Sequence, residues 1–251
     1  MLKEVRKAVL RGTTTVDGFA VAESFHLLEE ALRSDCEIGA VFAAESVKSA
    51  VERHVAGLKK IRVVVLADEL FRSISATEAS QGVIALVRPP AWTLDQLFRG
   101  QSLGVILDGI QDPGNAGTIV RAAEAFGASG VVFLKGTVSP YNPKCMRASA
   151  GSIFRVPLVP SLDERLLLAA LEQRKLEMFA LMPKGAVDLG ECNFSRKCAI
   201  IVGSEGRGVS DRLRAKAMDV RIPTVGVESL NAALAGGIAL YAARKQRMMS
   251  P

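Results

Sequence analysis

Two histidines and four cysteines are all the imidazole and thiolate ligands that this 251-residue sequence offers a metal, and no two of the cysteines form a CxxC pair. That leaves little material for zinc, so no metal site is expected, and the thiols read as packing residues in a reducing compartment. Long apolar runs are missing too: 63–67 and 130–134, among the longest, are far short of the roughly 20 residues that cross a bilayer. The opening MLKEVRKAVLRG has no apolar signal core, so the expectation is a cytoplasmic protein without a membrane partner. No repeat or low-complexity tract interrupts the chain. Neither the GxGxxG dinucleotide fingerprint nor the GxxxxGK phosphate loop is present, which disfavours NAD or nucleotide chemistry.

What is present describes a globular chain able to bury a core, 49% apolar and 23% charged. The net charge of +6 is uneven: residues 1–92 hold twelve basic and twelve acidic side chains, and 93–251 hold twenty and fourteen. Such a surplus either meets phosphates or only keeps the chain soluble. Arg88-Pro-Pro-Ala-Trp-Thr93 follows the apolar run 82–87, and paired prolines continue neither a helix nor a ladder. Two domains are therefore expected, 1–90 and 91–251. In the first, β-like runs at 38–42, 61–66 and 83–87 alternate with helix-like runs at 19–32 and 47–58. In the second, strands are expected at 103–107, 131–134, 177–181 and 198–202, with helices at 116–126, 163–174 and 229 to about 247. Both halves read as α/β, the second with a mostly parallel sheet.

Three stretches of the second half carry more than fold. In the first, the strand expected over 103–107 ends in a turn rich in Asp, Pro, Gly and Asn, and a helix follows. Asn115 stands where an N-cap belongs, and Gly117, Arg121 and Glu124 share one helical face. A loop entering a helix in this way suits phosphate. The second, Gly203-Ser-Glu-Gly-Arg-Gly208, ends an apolar strand with Glu205 at its carboxyl end, where open α/β sheets gather ligands. The third runs from Val220 through Ile222-Pro223 to Ser229-Leu-Asn231, with Ser229 placed to cap the final helix. Leu230, Leu234, Ile238 and Tyr241 form the apolar stripe of that helix, and Gly236-Gly237 suggests a close approach. His26 and His54 suggest no role, and Trp92 reads as domain packing or as a surface for stacking on a base.

In order and spacing these stretches resemble the three motifs of the SpoU (TrmH-type) branch of the SPOUT methyltransferases, which methylate ribose 2′-hydroxyls in RNA. Asn115-x-Gly117-x-x-x-Arg121 with Phe126-Gly127 is similar to motif one, Gly203-Ser-Glu205-Gly206-x-Gly208 to motif two, and Ile222-Pro223 with Ser229-Leu230-Asn231 to motif three. The resemblance covers about 103–247, including the intervening Pro140-Tyr-Asn-Pro-Lys-x-x-Arg-Ala-Ser149. It departs at Ser204 and at Ala232-Ala233, where members often carry Ala or Asn and Val-Ser. Residues 1–90 resemble more loosely the L30-like substrate-binding domain of many members.

The resemblance implies a SPOUT-type domain with a deep trefoil knot, S-adenosylmethionine as cofactor and a homodimer. It implies cofactor contacts at Gly203, Ile222 and Leu230, with the ligand pressed against the main chain of motif two. It gives Arg121 the reacting hydroxyl, as base or as polarising group. Guanidinium keeps its proton, so a fixed cation holding phosphate and stabilising alkoxide is the better physical role. Glu205, Ser229 and Asn231 then orient Arg121 and the ribose, and Asn115 contacts the hydroxyl or shapes its loop. Arg121, Asn142, Lys144 and Arg147 are the implied RNA contacts. The substrate is structured RNA, ribosomal more than transfer. A catalytically silent RNA-binding member and a base-methylating enzyme are the competing readings. The complete Asn115, Arg121, Glu205 and Asn231 set speaks against the first, and the motif pattern against the second.

Overall fold

A computed structural model describes residues 1–34, 36–56 and 61–249. They form two compact units: Met1–Pro90 with Pro140–Arg155, and Ala91–Ser139 with the chain from Val156 onward.

The first unit opens with α1 (Leu2–Arg11), β1 (Ala20–Glu23), α2 (Phe25–Arg33) and β2 (Glu37–Ala44). It continues with α3 (Lys48–His54), β3 (Val63–Leu66), α4 (Asp68–Arg72) and β4 (Val83–Arg88). Its sheet runs β1-β4-β2-β3, with β4 antiparallel to both neighbours and β3 parallel to β2. Val5, Phe42, Phe71 and Ile84 meet in its core. The single helix expected over 19–32 is two elements. Residues 20–23 are buried throughout as a strand, and a fully buried strand has no alternation to separate it from a helix. Ser24 then caps α2, its side chain accepting from the Leu27 N–H. The helix expected over 47–58 ends at His54, and Leu58 lies outside the described residues.

The second unit begins with α5 (Leu94–Leu97), β5 (Leu103–Asp108), α6 (Pro113–Ala125) and β6 (Gly130–Leu134). The chain then forms α7 (Pro143–Ala148), which belongs to the first unit, before β7 (Leu158–Leu162), α8 (Glu164–Gln173) and β8 (Glu177–Leu181). Last come β9 (Val187–Asp188), β10 (Cys198–Gly203), α9 (Asp211–Arg214), β11 (Met218–Arg221) and α10 (Ala232–Met249). The sheet order is β7-β6-β5-β10-β8-β11-β9, and every pairing is parallel. β5, β6 and β10 are continuous apolar runs because both faces of this sheet are covered.

Residues 140–155 lie within the linear span 91–251 yet pack with the first unit. The reason is the inner face of α7: Pro143, Cys145 and Met146 are buried, and α7 lies against β1. Burial pushes the Cys145 thiol up to about 12, and it pushes Cys198 in β10 up to about 11.

The buried face of α10 is made of small residues, Ala232, Ala233, Gly236, Ala239 and Ala243, together with Leu240. Of the stripe read from sequence, Leu230 precedes the helix, Ile238 is half-buried, and Leu234 and Tyr241 face outward, 53% and 57% exposed. Gly236 sits close to Val202 and Ile119, whereas Gly237 has open space where a side chain would be.

Candidate active site

Strand order reverses between β5 and β10, and in open α/β sheets ligands gather beyond the carboxyl ends of the strands at such a point. Two loops meet there. Buried Asp108 ends β5 and accepts from the Ser210 N–H at 2.7 Å, joining the loops that follow β5 and β10. The Thr137 hydroxyl accepts from Gly109 N–H at 3.0 Å and donates to Leu107 C=O at 2.9 Å.

The loop after β10 doubles back on its own strand, with Gly208 N–H donating to Ser204 C=O at 2.8 Å. A Cβ on Gly203 would lie 2.1 Å from the Gly208 carbonyl carbon and 2.3 Å from Val209 N. The resemblance explains the glycines of motif two by a ligand pressed against main chain. At Gly203 the neighbour is the loop's own backbone, and only glycine fits.

A cavity of about 400 Å³ opens beneath this loop. Gly203, Ile222 and Leu230 line it, as do Glu205, Ser229 and Asn231. Met182, Val202 and Val220 give it apolar walls, while Arg207 and Glu228 add charges beyond the motif residues named from sequence. Both sit inside the motif stretches, Arg207 between two glycines and Glu228 just before Ser229. Their position was therefore the available signal.

Three of the candidate polar residues form one chain. The Asn115 side-chain amide donates to Glu205 Oε1, and Asn231 Nδ2 donates to Asn115 Oδ1 at 3.0 Å. Two capping assignments change as a result. Asp112, not Asn115, caps α6: its carboxylate accepts from Asn115 N–H at 3.0 Å, and Pro113 takes the first helical position. This leaves the Asn115 side chain available for Glu205. Asn231, not Ser229, caps α10, its Oδ1 accepting from Ala233 N–H at 2.9 Å and Leu234 N–H at 3.2 Å. Ser229 is exposed at the cavity wall, and α10 begins three residues after it.

Arg121 does not join this chain. It is exposed and has no hydrogen bond or ion pair among the described residues. Six residues of helix place it about 120° around α6 from Asn115. Asn142, Lys144 and Arg147 lie in the first unit. The Asn142 side chain caps α7 by accepting from Lys144 N–H at 2.9 Å, Lys144 is exposed, and Arg147 Nη1 is buried without a partner among the described residues.

The all-parallel sheet thus sets this cavity and the Glu205–Asn115–Asn231 chain at its switch point, and its likeness to solved structures identifies the fold as that of SpoU-type methyltransferases. The structure superposes on the crystal structure of the SpoU methyltransferase AviRb from Streptomyces viridochromogenes in complex with the cofactor AdoMet. The TM-score is 0.90 at 27% identity, covering 100% of this chain and 98% of that one. Residues 102–241 match the SpoU rRNA Methylase family and residues 2–85 match the MRM3-like substrate binding domain. The chain belongs to the SpoU rRNA methylase family. It is 32% identical over 199 residues to the 23S rRNA (guanosine-2′-O-)-methyltransferase RlmB of Ralstonia nicotianae, covering 76% of this chain and 80% of that protein. To the 23S rRNA (guanosine(2553)-2′-O)-methyltransferase RlmP of Bacillus subtilis it is 29% identical, with 96% and 94% covered.

Proposed function

We propose that this protein transfers a methyl group from S-adenosylmethionine to a ribose 2′-hydroxyl of ribosomal RNA. The observation that carries the reading is the Glu205–Asn115–Asn231 chain at a cavity of about 400 Å³, within the range of small-ligand sites. The lining fits the cofactor. Met182, Ile222 and Leu230 offer apolar cover for an adenosine, Glu205 and Glu228 oppose positive charge, and Arg207 suits a carboxylate. Bound there, the cofactor supplies a methyl group already activated by a sulfonium. What this chain's residues add is alignment and charge. Asn231, rigid because it caps α10, fixes the Asn115 amide, which in turn holds the Glu205 carboxylate in place.

Arg121 acts as a fixed cation that grips a phosphate and stabilises the forming alkoxide, since guanidinium does not give up its proton. Its position, turned away from Asn115, fits action within a homodimer. The groove between α6 and α10, about 550 Å³ and lined by Phe126, Leu234, Ile238 and Tyr241, is the proposed pairing surface, and Arg121 stands one turn beyond its Thr118. Sedimentation at micromolar concentration should then give about twice 26.7 kDa, and a clean monomer would contradict the pairing.

The family's deep trefoil knot belongs to this reading. A close approach of two segments distant in sequence is in keeping with it: a Cβ on Gly185 would lie 2.5 Å from Val220 C. Residues 1–90 hold the RNA, 91–251 carry the transfer site, and Asn142, Lys144 and Arg147 contact RNA; the protein works in the cytoplasm.

The test is methyl transfer from labelled S-adenosylmethionine into cellular RNA, followed by nuclease digestion. Label on 2′-O-methylated nucleosides of ribosomal RNA is expected. Label on bases, or on transfer RNA alone, would redirect the reading. Arg121→Ala should abolish turnover while leaving cofactor affinity unchanged and stability within about 0.5 kcal/mol.

A further inference from the structure

We propose that the outward face of α1, with the Asn142–Lys144 turn at its end, is a phosphate-binding track for the RNA backbone; this rests on the reading of RNA as substrate. Lys3, Lys7 and Arg11 recur every four residues on α1, with Arg6 beside them, and all four are exposed. Val5 and Ala8 on the opposite face are buried in the core. None of the four cations has a hydrogen bond or ion pair among the described residues.

The charge is segregated. Helix α1 carries four basic residues and one acidic, Glu4, whereas the rest of 1–92 carries eight basic and eleven acidic. A solvated helix face commonly alternates signs to form pairs across one turn, and this face does not. From Lys3 to Arg11 the rise is about 12 Å, comparable to three or four phosphates of one strand along a duplex axis. Leu10, 76% exposed, lies among the cations and gives an apolar surface for a ribose or base.

The track continues beyond the helix. Gly12 closes α1 at φ 62, and a Cβ there would lie 2.9 Å from Asn142 Nδ2 and 3.3 Å from Asn142 Cα. Glycine thus lets the end of the basic stripe abut the turn that presents exposed Lys144.

The experiment measures binding of the full-length protein to an in-vitro-transcribed, unmodified large-subunit ribosomal RNA across a salt series. It compares wild type, the triple variant Lys3→Gln/Lys7→Gln/Arg11→Gln, and Lys48→Gln as a surface control. The triple variant should bind about 10–100-fold more weakly at moderate salt, with a log–log salt slope smaller by about 2–3. Its melting temperature and its affinity for S-adenosylmethionine should match wild type, and the Lys48 control should behave as wild type. RNA binding by wild type with an unchanged slope in the folded triple variant would overturn the track alone. No RNA binding by wild type would overturn the underlying reading, and the track with it.

Discussion

Asn231 serves two structures with one amide. Its oxygen caps α10 through two backbone N–H groups, and its nitrogen holds Asn115, which holds Glu205. The two roles separate in Asn231→Asp, which keeps the accepting oxygen and replaces the donor with a second carboxylate oxygen facing Asn115. Thermal unfolding should stay within a few degrees of wild type because the cap survives, while methyl transfer falls at least about tenfold as Asn115 loses its anchor. Equal loss of stability and activity would mean that Asn231 acts only as a cap. That Asn115, Glu205 and Asn231 occupy motif positions was legible in the sequence, and the structure brings the three together. Which side chain caps which helix was not legible. Asp112 and Asn115, like Ser229 and Asn231, are residues that all cap well, and only the fold decides which one meets the free amides.

Among the elements, the strongest departure from the sequence is the segment 140–155. Nothing local in Pro140-Tyr-Asn-Pro-Lys announces that its helix covers β1, because burial against a distant strand leaves no periodic trace in a six-residue helix. The same packing seats Glu30 of α2 between Arg155, at 2.5 Å, and Arg33, at 2.9 Å. Burial alone would raise the Glu30 carboxyl, but hydrogen bonds and charge from Arg155, then Arg33, outweigh it and hold the group below its ordinary value of 4.5. A carboxylate depressed in the folded state stabilises the protein fully above the unfolded value, and that stabilisation fades as pH falls through the folded one. Glu30→Gln should therefore be less stable than wild type by about 1 kcal/mol at pH 7, a modest figure because Arg155 is 35% exposed and solvent screens the pair. The gap should shrink below about pH 4.5 as wild-type Glu30 takes its proton. Denaturant titrations at pH 7 and pH 4 measure this, and a gap that widens in acid would refute the pairing.

At the scale of the molecule, the α/β character of both halves and the mostly parallel sheet of the second were readable because each rests on patterns of buried strands and turn residues. The order β7-β6-β5-β10-β8-β11-β9 was not, since strand adjacency depends on crossovers that periodicity does not record. That order is what brings Asn115 and Glu205, ninety residues apart, into one hydrogen bond. If this junction methylates ribose in ribosomal RNA, the modification depends on both the gene and Glu205. The most direct measurement maps 2′-O-methyl groups in ribosomal RNA from cells with the gene, cells without it, and cells carrying Glu205→Gln. A 2′-O-methyl group should vanish with the gene, return with wild type and stay missing with Glu205→Gln. An unchanged ribose-methylation map, or a loss confined to methylated bases, would contradict it.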